Sequence, residues 1–270
     1  MLQITALRQT FNPGTVNEVR ALQGVDLVIP EGQFVVVLGM NGSGKSTLLN
    51  GVAGTFLPDS GRIELAGHDV TRWAEHRRAA LIGRVFQNPF SGTAPQMSIA
   101  ENFALAARRG RPRGLTWALS ADLLAGLRER VASLRMGLEG RIDNAIGSLS
   151  GGQRQALTLL MATWLRPSLL LLDEHTAALD PKSADQVISL SDEIIRREKL
   201  TTLMVTHSMQ QAVSLGDRII MMHRGRILHD IQGAEKKRLR TDDLLDRFDE
   251  IRRREQLDES AATLLNELYV

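Results

Sequence analysis

The stretch "VLGMNGSGKS", Val37–Ser46, decides the fold of this 270-residue chain. Glycines and small polar residues surround a single lysine there and follow directly on an apolar run that ends at Leu38. The spacing G-x-x-x-x-G-K-S, which begins at Gly39, fits the loop that binds phosphate between a strand and a helix. Glycines let successive backbone N–H groups converge on phosphate oxygens, and the N-terminus of the following helix adds a favourable dipole. We therefore predict nucleotide binding at this loop.

The side chains of this loop have distinct expected roles. Lys45 places a positive charge on the β and γ phosphates, Ser46 offers a hydroxyl to Mg²⁺, and Thr47 bonds a phosphate oxygen. The alternative is a plain glycine-rich turn, but a strand precedes the loop and "KSTLLNGVAG" continues as a helix. The predicted phosphate-binding residues are Gly39, Asn41, Gly42, Ser43, Gly44, Lys45, Ser46 and Thr47.

The composition is that of an ordinary globular protein, with 43% hydrophobic and 24% charged residues. A formal net charge of +2 implies no global attraction to nucleic acid. The absence of cysteine excludes disulfides and thiolate metal sites and suits a reducing cytosol. The start has no signal-peptide pattern, and every apolar run falls far short of the roughly 20 residues of a membrane-spanning helix. We expect any membrane role to depend on a partner.

Short apolar runs alternate with helical patterns, which indicates a parallel α/β sheet covered on both faces. The N-terminal segments "LQITALRQTF" and "ALQGVDLVI", with "RIELAGHDV" and "RGRILHD", indicate antiparallel strands and turns. The predicted strands of the parallel sheet are Gln33–Leu38, Arg84–Gln87, Leu169–Asp173, Thr201–Thr206 and Arg218–His223.

The middle of the chain, Ser98–Leu149, is almost wholly helical in pattern and is interrupted by the loop "GRPRG". We predict a helical subdomain, about residues 88–150, inserted into an α/β body that spans residues 1–240. A helical extension is predicted for residues 241–270. The basic cluster Lys236–Arg240 is predicted to be solvated surface, because acidic residues follow at once.

Two further motifs carry chemistry. In "SLLLLDEH" a buried strand ends in Asp173 and Glu174, at the strand end where ligands bind in open α/β sheets. Asp173 is therefore expected to hold the Mg²⁺ shell and Glu174 to polarise an attacking water. The alternative is that these acids only end a strand or cap a helix.

The second motif is "LSGGQ", Leu149–Gln153, at the start of a predicted helix. Ser150 is a good N-cap, and Gly151 and Gly152 again leave the backbone bare at a positive helix end. Because the first loop already serves one triphosphate, this second anion-binding loop is expected to cover the nucleotide of another copy. An ordinary helix start is the alternative.

Together these motifs resemble the nucleotide-binding subunit of an ATP-binding cassette (ABC) transporter, of the bacterial importer type, over residues 1–230. The matching pieces stand in family order: Gly39–Thr47, Gln87 in "VFQNPF", Leu149–Gln153, "LLLLDE", "AALD" at Ala177–Asp180, and "THS" with His207. The resemblance implies the P-loop NTPase ABC ATPase fold, α/β, with a mainly parallel core sheet, an N-terminal antiparallel β section and the inserted helical subdomain. It implies ATP and Mg²⁺ as ligands.

The resemblance also assigns roles to single residues. Gln87 would touch Mg²⁺ and the water, and His207 would contact the γ-phosphate and hold Glu174. Asp180 would lie at a dimer contact near the opposite P-loop. The implied catalytic residues are Glu174, His207, Gln87 and Lys45, and the implied metal ligands are Ser46, Gln87 and Asp173.

Phe11 would be the aromatic platform under adenine, with Ser150, Gly151, Gly152, Gln153 and Asp180 completing the nucleotide contacts. An aromatic residue packed into the N-terminal sheet is the alternative for Phe11, and Phe34 is a weaker candidate that belongs to the core. His175 and Ala177 depart from common family residues without removing a catalytic group.

In such transporters two copies close head to tail around two MgATP and drive membrane permease subunits. The resemblance implies a permease contact through about Gln87–Met97, a separate solute-binding protein, and a place on the cytoplasmic face of the bacterial inner membrane. It implies import of a small solute such as an amino acid, and no nucleic acid partner. A soluble iron–sulfur assembly ATPase and an export or lipid-trafficking ATPase remain as alternatives.

Overall fold

The computed structural model of the protein describes residues 1–110, 119–251 and 253. The strands are β1 Leu2–Phe11, β2 Val19–Ile29, β3 Phe34–Gly39, β4 Ser60–Leu65, β5 His68–Asp69, β6 Ile82–Val85, β7 Leu169–Asp173, β8 Thr202–Val205, β9 Arg218–His223 and β10 Arg226–Gln232. The helices are α1 Lys45–Ala53, α2 Glu75–Arg78, α3 Ile99–Ala106, α4 Ala121–Ser133, α5 Gly151–Thr163, α6 Pro181–Glu198, α7 Met209–Ser214 and α8 Gly233–Arg238.

The central sheet has the order β10-β9-β3-β8-β7-β6 in the described part of the chain. From β9 to β6 every neighbouring pair is parallel, and β10 joins the edge antiparallel to β9. The predicted mainly parallel core sheet is confirmed. The segment "RGRILHD" is antiparallel, as expected, but it extends this central sheet and not the N-terminal one.

A second sheet, with the order β2-β1-β4-β5, is antiparallel throughout its described strands. This sheet confirms the predicted N-terminal antiparallel section. Its apolar residues and those on one face of the central sheet form a common core, to which β3 contributes Val35 and Val37. The alternate residues of β3, Val36 and Leu38, enter the second core on the helical side. The strand is buried on both faces, which explains its unbroken apolar run.

Two predictions from the sequence are wrong, one strand boundary and the helical content of one segment. The strand expected at Arg84–Gln87 lies at Ile82–Val85, because its ladder with β7 ends where Val85 pairs with Leu172. Gln87 therefore lies beyond the sheet. The stretch Ser98–Leu149 is less helical than predicted, since residues 134–149 hold only the short 3₁₀ turn Ile146–Ser148 among their described elements. Glycines at 137, 140 and 147 oppose a continuous helix there.

The structure describes a helical run over residues 241–251, where the predicted C-terminal extension begins. Leu244, Phe248 and Ile251 are buried in the helical-side core, so this run packs on the body. Residue 252 and residues 254–270 of the predicted extension lie outside the described residues, as do residues 111–118, which include most of "GRPRG". The subdomain limits 88–150 and 241–270 stay predictions.

The predicted solvated character of Lys236–Arg240 is wrong for Lys236. This lysine is buried, and its Nζ donates a hydrogen bond to the Val213 carbonyl at 2.7 Å. Burial lowers the pKa of Lys236. Lys236 therefore anchors α8 to α7. Among the described helices none has the length and apolar character needed to cross a membrane.

Candidate nucleotide-binding site

The bare loop joins β3 to α1, as predicted. A Cβ atom on Gly39 would lie 2.4 Å from the Met222 carbonyl oxygen, and one on Gly44 would lie 2.5 Å from the Ala21 carbonyl oxygen. Both positions must be glycine because the backbone passes next to other strands. Gly42 has φ +77° and nothing within 4 Å of its Cβ position, so it faces open space. The loop is therefore closed on its protein side and open on the other.

The start of α1 has the features of an anion site. Its N-cap residue, Gly44, provides no side-chain hydrogen bond to the first turn. The hydroxyl of Ser43 is buried without a hydrogen-bond partner. Buried polar groups usually have a partner, so this orphan hydroxyl marks a place where a ligand oxygen fits. Uncapped amides and the helix dipole at the same point favour a phosphate group.

Lys45 lies against this loop and is 5% exposed. Its Nζ donates hydrogen bonds to the carbonyl oxygens of Gly39 at 2.7 Å and Met40 at 2.9 Å. Burial lowers the pKa of Lys45, while the nearby charges of Glu174 and Asp173 act in the opposite direction. The ammonium group is thus positioned between the loop and the two carboxylates.

A cavity of about 380 Å³ opens over the loop. It is lined by Phe11, Val19, Ala21, Asn41, Gly42, Ser43, Gly44, Lys45, Ser46, Thr47, Glu174 and His207. The structure thus brings together most of the predicted phosphate-binding residues with three of the four predicted catalytic ones, Lys45, Glu174 and His207, whereas Gln87 does not line the cavity. Its volume falls within the range of small-ligand sites.

Phe11 ends β1 and is 37% exposed at the cavity wall. It pairs in register with Val19 of β2, which is also exposed, and its ring meets that of Phe56 edge-to-face at 5.7 Å between centroids. An exposed aromatic face beside the phosphate loop is suited to stacking with a nucleobase. Phe34 is 3% exposed and belongs to the core. The role of Phe11 as adenine platform stays a prediction.

Glu174 and His207 form a pair at the other side of the cavity. The Oε1 atom of Glu174 lies 2.5 Å from Nε2 of His207, and the glutamate side chain is 11% exposed. Glu174 also has φ +43°, in the left-handed region. A non-glycine residue there costs about 1–2 kcal/mol, and such strain concentrates at functional sites. The carboxylate is therefore held by its backbone and by the imidazole.

Asp173 ends β7 next to Glu174, and its Oδ2 lies 3.5 Å from the guanidinium of Arg84 on β6. Arg84 also contacts Asn50 of α1, with 2.6 Å between Nη2 and Oδ1. Sequence analysis missed this arginine. The signal was a lone cation in a strand that pairs with a buried leucine strand, since such a charge is expected to have a partner.

His175 is buried behind the site, with 1% of its surface exposed. Its Nε2 lies 3.0 Å from the Ser191 hydroxyl, which itself donates to the Val187 carbonyl. Because that hydroxyl has only one hydrogen, Nε2 must be the donor, and Nδ1 is the buried nitrogen without a partner. Burial lowers the pKa of His175 to about 4. The ring is neutral and ties the end of β7 to α6.

The "LSGGQ" residues do not line the cavity of their own chain. Ser150 is the N-cap of α5, and it forms a reciprocal capping box with Gln153, with both hydrogen bonds at 3.3 Å. A Cβ atom on Gly152 would lie 2.8 Å from Cβ of Ser183 on α6, and one on Gly151 would lie 3.2 Å from Leu179. The glycines therefore let α5 pack closely on α6.

Asp180 is the N-cap of α6, and its carboxylate accepts the backbone N–H of Ser183 at 3.0 Å. Hydrogen bonds from Ser183 lower the pKa of Asp180. Gln87 is exposed just beyond β6. The structure thus gives Asp180 a capping role that the sequence analysis did not assign, while its role at a dimer contact stays a prediction.

The donor set proposed for a metal fits Mg²⁺. In the described ranges no cluster of three His, Cys, Asp or Glu side chains could hold a metal ion on its own. Ser46, Gln87 and Asp173 offer a hydroxyl, an amide and a carboxylate. Mg²⁺ in nucleotide sites is held by one or two carboxylates together with substrate phosphates, so the chemistry of these donors suits the ion. Of the three, Ser46 lines the cavity.

Comparisons with known proteins identify the family of this chain. The sequence model of the family described as "ABC transporter" matches residues 22–177. A tyrosine transport ATP-binding protein of Clostridioides difficile (strain R20291) is 41% identical over 251 residues, which cover 92% of this chain and 99% of that protein. The lipoprotein-releasing system ATP-binding protein LolD of Ruegeria pomeroyi is 34% identical and covers 84% of this chain and 96% of that protein.

A solved dimeric structure of the ATP-binding cassette MJ0796, in a post-hydrolysis state bound to ADP and Pi, matches with a TM-score of 0.72 and 27% identity. It covers 86% of this chain and 98% of that one. The predicted fold, ATP and Mg²⁺ as ligands, and ATP hydrolysis are confirmed. This chain belongs to the ABC transporter family and is the ATP-hydrolysing subunit of a transport system.

Proposed function

We propose that two copies of this chain close head to tail around two MgATP and drive a permease that imports a small solute. The observation that carries the proposal is the cavity in which the phosphate loop meets the Glu174–His207 pair. The Ser150–Gly152 segment does not line this cavity. A second chain can supply that segment, and it would complete the ligand shell of the triphosphate.

Each residue has a defined task in this mechanism. The loop amides and Lys45 bind the phosphates, and Phe11 stacks on the base. Ser46, Gln87 and Asp173 would hold Mg²⁺, which would supply positive charge beside the β and γ phosphates. Glu174 orients the attacking water, and His207 fixes the carboxylate in place and contacts the γ-phosphate.

Hydrolysis then separates the two copies. Binding energy at the interface comes from preorganised N–H groups that neutralise the triphosphate. Loss of the γ-phosphate removes that bridge between the loop of one copy and Ser150 of the other. The opening movement is the step that acts on the permease.

The permease contact is proposed at Gln87–Met97. Phe90 in this segment is 53% exposed, and the guanidinium of Arg154 lies 3.7 Å from its ring centroid. Arg154 in turn donates hydrogen bonds to the carbonyls of Gly147 at 2.8 Å and Leu149 at 3.1 Å, directly before Ser150. A partner bound at Phe90 would therefore act on the segment that reaches the second nucleotide.

Import of an amino acid such as tyrosine is proposed from the relative named for tyrosine transport, which aligns with almost the whole chain. The proposal includes a separate solute-binding protein and a position on the cytoplasmic face of the inner membrane. Lipoprotein release is the second candidate, because the LolD relative is also similar over most of its length. Since the chain belongs to a transporter family, iron–sulfur assembly is set aside.

The absence of cysteine in this chain allows a direct test of the dimer. Asn41 is exposed on the phosphate loop and Ser150 on the α5 start, so Asn41→Cys and Ser150→Cys introduce the only thiols. In a Glu174→Gln background we expect an intermolecular disulfide to form when the protein is oxidised in the presence of MgATP, and much less of it in the presence of MgADP.

The two single-cysteine variants are the matched controls, since neither alone can join position 41 of one chain to position 150 of another. If the double-cysteine protein stays monomeric at saturating MgATP, the head-to-tail dimer is wrong. Lys45→Ala in the same background is expected to prevent the crosslink by weakening ATP binding.

A further inference from the structure

Arg84 is a cation beside the carboxylate to which we assign the metal. Its side chain is 13% exposed, and it reaches across from β6 to contact Asp173 at 3.5 Å. The same guanidinium bonds Oδ1 of Asn50 at 2.6 Å and Oγ1 of Thr55 at 3.3 Å, and it lies 4.5 Å from the Phe86 ring centroid. Its position is therefore fixed by groups other than Asp173.

Other charged groups lie around Asp173. The charge of Lys45 also acts on Asp173, but the Lys45 ammonium donates its hydrogen bonds to two loop carbonyls, and Glu174 is paired with His207. Glu75 reaches Arg84 only at 4.0 Å and is half exposed. Arg84 is thus the cation that forms a direct ion pair with Asp173, in the described part of the chain, before any ligand arrives.

We infer that Arg84 is the resident counter-ion of Asp173 and makes divalent-metal binding depend on the nucleotide. The inference rests on the proposed assignment of Asp173 to the metal. A fixed positive charge beside this carboxylate lowers the attraction of the empty site for a second cation. Phosphate oxygens of the nucleotide add enough negative charge to overcome that effect, so the metal enters with ATP.

The anchor on Asn50 is what makes the charge effective. A flexible arginine would swing into solvent when a metal approached, but this one is held at 2.6 Å by a side chain of α1. Its charge therefore opposes the metal in both the empty and the loaded site. Since the group is partly screened by solvent, we expect its removal to tighten metal binding by about tenfold.

The test measures Mn²⁺, a spectroscopic substitute for Mg²⁺, by the electron paramagnetic resonance signal of the free ion. Titrations are run on the full chain without nucleotide and with saturating ADP. Arg84→Gln should bind Mn²⁺ about tenfold more tightly than the parent without nucleotide, with a smaller gain when ADP is present. Arg84→Lys keeps the charge and should stay close to the parent.

Arg62→Gln is the matched control, because Arg62 is an exposed arginine paired with Glu64 and Asp69 away from the cavity. It should leave Mn²⁺ binding unchanged. Asn50→Ala provides a second variant that leaves Arg84 in place, and it should tighten Mn²⁺ binding in the same direction by freeing the guanidinium. Circular dichroism checks that each variant is folded.

Equal or weaker Mn²⁺ binding by both Arg84→Gln and Asn50→Ala would overturn the inference. Asp173→Asn separates this failure from failure of the metal assignment. If Asp173→Asn binds Mn²⁺ with ADP as tightly as the parent, the metal assignment itself is wrong. If Asp173→Asn loses Mn²⁺ while the Arg84 and Asn50 variants match the parent, only the role of Arg84 is wrong.

Discussion

Burial of His175 makes a quantitative prediction about folding stability and pH. The ring is neutral in the folded chain, and burial lowers its pKa from 6.5 to about 4. The unfolded chain takes up a proton near pH 6.5, whereas the folded chain does so only near pH 4. Lowering the pH through this window therefore stabilises the unfolded state and reduces the free energy of unfolding.

The size of the loss follows from the two pKa values. A tenfold change in proton affinity corresponds to about 1.4 kcal/mol, so the full effect at His175 is about 3 kcal/mol at low pH. About 2 kcal/mol of it is expressed by pH 5, because the unfolded histidine is then almost fully protonated. That is a large share of the free energy of unfolding of a typical domain, which is about 5–15 kcal/mol.

The assay compares urea unfolding of the parent and His175→Gln between pH 8 and pH 5, without nucleotide and with EDTA. The glutamine amide can still donate to Ser191 but does not titrate in this range. The parent should lose about 2 kcal/mol relative to the variant over this interval. His76→Gln, which removes an exposed histidine, is the control and should follow the parent. If the free energy of unfolding changes with pH in the same way for the parent and His175→Gln, the reasoning is wrong.

Three further predictions concern other parts of the chain. Arg78 is fully buried and donates hydrogen bonds to four backbone carbonyls. Arg78→Met should therefore lower the free energy of unfolding by about 3–5 kcal/mol in urea unfolding. An unchanged free energy of unfolding would contradict this stabilising role. His207→Ala frees the Glu174 carboxylate and should lower kcat about 100-fold or more, with little change in KM for ATP. A change confined to KM would argue that His207 does not position Glu174. Phe90→Ser should reduce recovery with the permease from membranes about tenfold if that segment contributes a hot spot, while Leu228→Ser, at another exposed leucine, should not.

The sheet could be predicted because its strands have a simple physical signature. The run around Val36 and the leucines before Asp173 are buried on both faces, so they are continuous and apolar. The carboxyl ends of these strands then place the phosphate loop beside Asp173 and Glu174. The local spacing of residues and one rule of sheet topology were enough to predict that the phosphate loop lies beside Asp173 and Glu174.

The remaining features depend on contacts between distant segments. The sequence marks Arg84 only as a strand cation that needs a partner, and it is α1 that brings Asn50 to it. Burial of His175 depends on α6, and burial of Lys236 depends on a carbonyl of α7. The acidic residues that follow Lys236–Arg240 indicated a solvated surface, but local charge says nothing about the α7 carbonyl that Lys236 binds. Such exceptions require the packed structure.

The two glycine-containing loops look equivalent in sequence, but in the structure they differ in whether their polar groups already have hydrogen-bond partners. At α1 the N-cap residue has no side chain, and the Ser43 hydroxyl lacks a partner, so the loop is incomplete without a ligand. At α5 the Ser150 hydroxyl already accepts the Gln153 N–H in a capping box. A ligand at α5 therefore meets a helix start that is stable on its own.

This difference implies an order of binding. The α1 loop gains partners for its orphan groups when phosphate arrives, so it should bind nucleotide in a single chain. In the head-to-tail dimer that we propose, the α5 start must instead share its hydroxyl or use only its exposed backbone, which favours a contact formed second and released first. Weak binding by the Ser150–Gly152 segment suits the reversible dimer that we propose, because a permanent contact could not open after hydrolysis.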